Sequence, residues 1–229
     1  LRAAFQNEWA GLDPHTVSSY SSYQILNNVL EGLTFYDDDL NLVPWLAESW
    51  EQSEDGLTWT FKLREGVMFH NGREMTAEDV KFSLDRARAE DSTNAQKALF
   101  SAITSVEAVD DLTVKVTLSH PQGSFLYNMG WGDAVIVAPE SADTNATEPV
   151  GTGPFRFSNW SKGDRITLVR NPDYWGEKPA LTAATFKFIS DPTAAFAAPK
   201  RSRRAARPNR ARNGAVRRSG CRNRPFRRC

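Results

Sequence analysis

Residues 1–198 contain no cysteine, because Cys221 and Cys229 both lie near the end of the chain. That excludes a disulfide framework or a cysteine metal site from the body. Long apolar runs are missing as well, and none approaches the roughly 20 residues that a membrane-crossing helix needs. The chain opens at Leu1 without Met and without a basic stretch followed by an apolar one, so a secretory signal is not present in it and export cannot be read directly. Acid is absent from the last segment: from Pro199 to Cys229 there are 13 Lys and Arg, with Lys200 the single lysine, and no Asp or Glu. The formal charge of zero therefore hides a body of −13, with 15 bases against 28 acids, and a tail of +13. A body of that sign repels phosphate backbones, and the tail alone carries the charge that would attract nucleic acid or an anionic surface. Almost no large apolar residue occurs in the tail, which is expected to be disordered.

The chain of 229 residues can form one large domain or two small ones, and has the composition of a globular protein. Leu1 to Phe5 reads as a strand, followed by the turn Leu12-Asp13-Pro14-His15. Leu26, Val29, Leu30 and Leu33 recur at helical spacing and predict a helix over roughly Ser19 to Glu31. Leu57, Trp59, Phe61 and Leu63 alternate with Thr58, Thr60 and Lys62, the pattern of a strand with one buried face, and Asp55-Gly56 supplies the turn from a partner near Trp50. A second hairpin is expected around Asp110-Asp111, with Leu112, Val114, Val116 and Leu118 on one face, and a third around Lys162-Gly163-Asp164. Between the first two, Thr76 and Asp79 form a capping box, and Val80, Leu84 and Ala87 a buried stripe behind it. Ala183 to Ile189 alternates again, and Ser190-Asp191-Pro192 predicts a helix from Thr193 onward.

Catalytic chemistry finds little support. His15, His70 and His120 are far apart without a second ligand at helical spacing, so solvated or capping histidines are expected and no catalytic or metal residue is assigned. Gly151-Thr152-Gly153 lacks the third glycine of a dinucleotide fingerprint and places Pro154 where the phosphate helix would begin, so it reads as a turn into a strand and no cofactor is expected. Asp37-Asp38-Asp39 lacks calcium-loop spacing and reads as a solvated turn. Tyr127, Trp131 and Gly132 are a ligand-binding candidate, since Gly-Trp-Gly lets backbone approach a ligand beside an aromatic face; packing of Trp131 in a core or hinge is the alternative.

Six segments in order carry a resemblance. They are Leu12-Asp13-Pro14-His15 followed by Glu31-Gly32-Leu33; Leu46 to Glu51; Asp55 to Gly72; Thr76 to Ser83; Gly151 to Phe155; and Arg170 to Trp175. Together they resemble the oligopeptide/dipeptide/nickel-binding family of extracytoplasmic solute-binding proteins of bacterial ABC importers. The resemblance covers residues 1 to 192 and stops at about Ala198. It implies an α/β fold, a type II periplasmic-binding-protein-like clamshell with mixed sheets. In that arrangement 1–35 and 151–198 form the first lobe, 36–150 an accessory subdomain, and the second lobe, which would follow Ala198, is missing. It also implies no enzyme activity, a peptide or small-molecule solute, ABC permease subunits as partners, no nucleic acid, a periplasmic or extracytoplasmic location, and a monomer if complete. In this family the loop after Asp-Pro-His enters the interlobe cleft, which places Ser18, Ser19 and Tyr20 as ligand-binding residues; Ser18 or Ser19 as a solvated helix cap is the alternative.

The tail from 199 to 229 interrupts the helix that Ser190-Asp191-Pro192 has just begun, and its Arg, Ala, Pro and Gly have GC-rich codons. It reads as an out-of-frame translation, with a genuine basic tail as the alternative. A chain lacking the second lobe is expected to bind solute poorly.

Overall fold

The computed structural model describes residues 2–17 and 19–191. In chain order these form β1 (Arg2–Phe5), α1 (Tyr20–Leu26), β2 (Thr34–Tyr36), β3 (Leu42–Pro44), β4 (Ala47–Gln52), β5 (Thr58–Leu63), α2 (Ala77–Arg88), β6 (Ile103–Asp110), β7 (Thr113–Leu118), α3 (Phe125–Asn128), β8 (Phe155–Ser161), β9 (Arg165–Arg170) and β10 (Ala183–Phe188). The helix read from Thr193 onward and the tail lie outside the described residues.

The alternating patterns fold as their period requires. Trp59, Phe61 and Leu63 are buried while Lys62 is exposed, so β5 turns one face inward. It lies in the middle of an antiparallel sheet ordered β4-β5-β7-β6, which unites the first two hairpins. Asp55 accepts from the Leu57 N–H, and Gly56 takes φ +73°, which only glycine adopts without strain, to make the turn. Helix α2 covers this sheet with Val80, Leu84 and Ala87. Its start is fixed by Asp79, whose carboxylate accepts from the Thr76 N–H at 2.8 Å. Phe61, Phe69, Phe100 and Phe125 fill the core between them, each burial worth about 1.5–3 kcal/mol.

A second sheet is ordered β1-β10-β9-β8, and β1 runs parallel to β10 with Arg2 opposite Thr185 and Phe5 opposite Phe188. The start of the chain is thus stitched to residues near 185. A separate core forms here from Trp9, Leu12, Ile25, Leu26, Phe155, Ile166, Leu168 and Phe186.

One extended segment joins the two cores. Ala134, Ile136 and Ala138 enter the first and Val135 and Val137 the second, as the two-residue period of extended backbone dictates. Its backbone is held by neighbours: Ile136 N–H donates to the Glu31 carbonyl at 2.8 Å and Val137 N–H to the Ser83 hydroxyl at 2.9 Å.

Helix α1 is shorter than its sequence period suggests, ending at Leu26. The Asn28 side-chain amide donates to the Gln24 carbonyl at 2.9 Å, competing with the next helical turn. The carbonyls of Asn28 and Val29 are left to accept from Phe155 and Gly153 N–H, both at 3.0 Å. Only glycine fits that approach. A Cβ on Gly151 would lie 2.1 Å from the Val29 oxygen, and one on Gly153 2.8 Å from the Asn28 oxygen.

The histidines need correction. His120 is exposed, but His15 is buried and His70 largely so, because each ties a loop to the scaffold. His70 Nε2 lies 2.9 Å from the Gly153 carbonyl, and its backbone N–H donates to the Gly151 carbonyl at 2.8 Å. Burial pushes the imidazole pKa down to about 4. Asp37, by contrast, is a solvated turn, accepting from the Asp39 and Asn41 N–H groups.

Candidate functional site

Between the two cores the structure places a carboxylate. Glu31 is buried, and its oxygens accept four hydrogen bonds: Trp45 Nε1 (2.8 Å) and Tyr174 OH (2.8 Å) on Oε1, Thr152 Oγ1 (2.7 Å) and Trp175 Nε1 (2.9 Å) on Oε2. An ionised carboxylate can be buried when its lone pairs are taken up in this way. Burial and the adjacent Glu31 carboxylate raise the Tyr174 pKa far above the usual phenol value. The donors come from three distant stretches of chain, around Trp45, Thr152 and Tyr174-Trp175, which explains why these motifs and the one around Gly32 occur together: they build one knot. Trp175 meets Trp45 edge-on at 5.4 Å, and the Arg64 guanidinium lies 4.9 Å over the Trp175 ring.

Beside this knot opens a cleft of about 190 Å³, lined among others by Gly32, Phe35, Trp45, Trp131, Gly132 and Tyr174. Phe35 stacks on Trp45 with ring centres 4.7 Å apart. Trp131 is 49% exposed, too open for a core residue.

Of the residues singled out in sequence, Trp131 and Gly132 therefore meet in the cleft. Gly132 also has a packing reason, since a Cβ there would sit 2.6 Å from the Tyr23 ring. Tyr23 in turn donates to Asp133 Oδ1 at 2.8 Å. Asp133 is fully buried, its Oδ2 has no hydrogen-bond partner among the described residues, and burial raises its pKa above the ordinary carboxylate value. Tyr127 is exposed but does not line this cleft; its carbonyl accepts from Tyr36 OH at 2.7 Å and its ring stacks on Tyr36. Ser18 lies outside the described residues. Ser19 stands at the start of α1, its hydroxyl 2.8 Å from that of Ser21, and Tyr20 beside it is 77% exposed; neither lines the cleft.

The Asp-Pro-His turn that leads to Ser19 is anchored from below. Arg86 of α2 makes a two-pronged ion pair with Asp13 (2.6 and 2.9 Å) and donates to His15 Nδ1 at 2.9 Å. Burial, then the Arg86 charge, lower the His15 pKa to about 4. Among the described residues no group of His, Cys, Asp or Glu is placed to hold a metal ion, and no helix is long and apolar enough to cross a membrane.

Sequence reading missed Glu31, Phe35, Trp45 and Tyr174 as site residues. Glu31 carried a signal, a lone carboxylate between Leu30 and Gly32-Leu33 in an apolar stretch, where burial demands donors.

Comparison with known proteins settles the family. Residues 41–205 match the model of bacterial extracellular solute-binding proteins, family 5 Middle. The chain belongs to that family. The match runs a few residues past Ala198, where the motif resemblance stops. A glutathione-binding protein GsiB of Pectobacterium atrosepticum is 37% identical over 193 residues, covering 82% of this chain and 38% of that protein. The family 5 chain thus spans well under half the length of the curated relatives it matches. Among solved structures, the periplasmic binding protein DppA from Helicobacter pylori in complex with peptide STSA superposes with TM-score 0.80 and 32% identity, over 88% of this chain and 44% of that one. NikZ from Campylobacter jejuni in complex with Ni(L-His) gives TM-score 0.80 and 32% identity, over 88% and 41%. These relatives are solute-binding proteins, not enzymes, and the mixed α/β architecture with several sheets is theirs.

Proposed function

We propose that this chain supplies one wall of a solute-binding cleft for an ABC importer, outside the cytoplasmic membrane, with a peptide or another small molecule as solute and ABC permease subunits as partners. The observation that carries the reading is the cleft itself: Trp131 stands half exposed beside glycines on a scaffold locked by Glu31, within a family of solute-binding proteins. Residues 1–35 and 151–198 act as the first lobe, held together by the β1–β10 pairing, and 36–150 as an accessory subdomain. Ser18, Ser19 and Tyr20, with Tyr127, Trp131 and Gly132, contact the solute, the first group through backbone and the Tyr20 ring. A solute touching this wall and a facing lobe stabilises a closed form that the permease recognises.

The described wall taken alone holds a solute weakly, since each hydrogen bond that a facing wall would add is worth about 0.5–1.5 kcal/mol. Calorimetry against a peptide library is expected to give millimolar affinity, lowered further by Trp131→Ala. Micromolar binding, or binding indifferent to that substitution, would contradict this reading. The segment from 199 onward is an out-of-frame translation, as its composition supports; translating the same DNA in the other two frames should restore acidic and apolar sequence, and failure in both frames would make the tail authentic.

A further inference from the structure

The cleft beside Glu31 offers a bound molecule ring surface and almost no charge. Phe35, Trp45, Trp131 and Tyr174 contribute rings, and Gly32, Gly130 and Gly132 contribute no side chain. The ionisable groups lining it among the described residues are Glu31 and Tyr174, and these bond each other. Each Glu31 oxygen already accepts two hydrogen bonds, so the carboxylate has no lone pair left for a ligand ammonium. No lysine, arginine or histidine lines the cleft among the described residues, so a ligand carboxylate or phosphate would meet no cation. An ionised group brought here would lose water without gaining a partner, which is costly. A ring would gain both burial and edge or face contacts. The space suits one: about 190 Å³, against roughly 150 Å³ for an apolar cavity that holds benzene. Ring faces can also draw a cation, but Phe35 and Trp45 stack on each other at 4.7 Å and so each covers a face of the other.

On the footing that this cleft is a solute site, we infer that the part of the solute seated in it is uncharged and apolar, with an aromatic side chain preferred. The ionised ends of the solute lie outside it, where Asn27 and Thr34 at the lining offer only neutral polar contacts.

The test uses the full chain and blocked amino acids that differ in side chain alone: the N-acetyl amides of phenylalanine, leucine, aspartate, lysine and arginine. Binding is read from the Trp131 and Trp45 indole N–H resonances during titration. The phenylalanine amide should shift both in the millimolar range, at least about 10-fold more tightly than the aspartate, lysine or arginine amide, with leucine between, a ratio equal to one decade of dissociation constant. Trp131→Ala should weaken the phenylalanine amide several-fold and leave the charged ones unchanged. Equal or tighter binding of any charged amide at these resonances would overturn the aromatic preference while leaving the cleft a solute site. No shift with any amide would remove both.

Discussion

Glu31 and Thr152 are 121 residues apart in sequence and joined by a 2.7 Å hydrogen bond that is buried on both sides. Thr152 sits in the loop whose flanking glycines press against the Val29 carbonyl, so the bond and the backbone contact lock the same two segments. Beside this lock lies the cleft, and its walls are only as well placed as the lock is firm.

Glu31→Gln should therefore loosen the whole site. The new amide nitrogen would face two donors wherever it points, and an indole N–H, unlike a hydroxyl, cannot turn round to accept. We expect a loss of about 2–4 kcal/mol in denaturant unfolding, from buried donors left unpaired. Thr152→Val should cost about 1–2 kcal/mol, and the double variant less than the sum. Strict additivity would show that the two side chains do not act together.

Gly151→Ala should be far more damaging than its one methyl suggests, because the added carbon would sit 2.1 Å from the Val29 oxygen. Gly123→Ala has nothing within 4 Å to meet and should be near neutral. Expression and thermal melting of the pair provide the comparison. Similar melting temperatures would mean that the Gly151 loop can shift at little cost.

Acid should destabilise the fold through its two buried histidines. Burial holds His15 and His70 near pKa 4 in the folded chain, against 6.5 when exposed. The unfolded chain therefore binds more protons between those values, so stability is full above about pH 6.5 and is lost as pH falls toward 4. The loss should reach up to about 3 kcal/mol per histidine. Arg73 keeps Glu140 near pKa 2, below this window. Urea midpoints at pH 7, 5.5 and 4.5 read the effect, and His70→Gln should flatten the slope while lowering stability at pH 7. A flat profile in the native chain would contradict burial of the neutral rings.

Asp133 is expected to behave in the opposite sense. Its raised pKa means that the folded chain prefers the neutral carboxyl, so the favourable contribution is present at low pH and lost as pH rises through the folded pKa. Asp133→Asn keeps an acceptor for Tyr23 and removes the buried charge, and should raise the melting temperature at pH 7. A lower one would assign the carboxylate a partner that makes its charge worthwhile.

Much of the scaffold was legible because local period and local chemistry agreed. β5 and β7 announce themselves by alternation, and the Thr76–Asp79 cap by a three-residue spacing. What was hidden depends on pairings distant in sequence. Nothing local says that β1 will pair with β10, that Ala134 to Ala138 will alternate between two cores, or that Glu31 will gather donors from three stretches of chain. His15 was misread for the same reason, since its burial depends on Arg86, 71 residues away. The Gly-Trp-Gly run drew attention to Trp131 and Gly132, which line the cleft; Phe35, Trp45 and Tyr174 line it too, but each looks in sequence like an ordinary core or strand aromatic.

The most direct test is a residue-by-residue map of peptide binding. Titrating the isotope-labelled chain with short peptides is expected to move the amide resonances of Gly32, Trp131 and Gly132, and those of Ser19, Tyr20 and Tyr127, while Thr58–Leu63 and Arg165–Arg170 stay still. Shifts confined to Thr58–Leu63 and Arg165–Arg170, or none at millimolar peptide, would contradict the assignment of this face as the solute-binding wall.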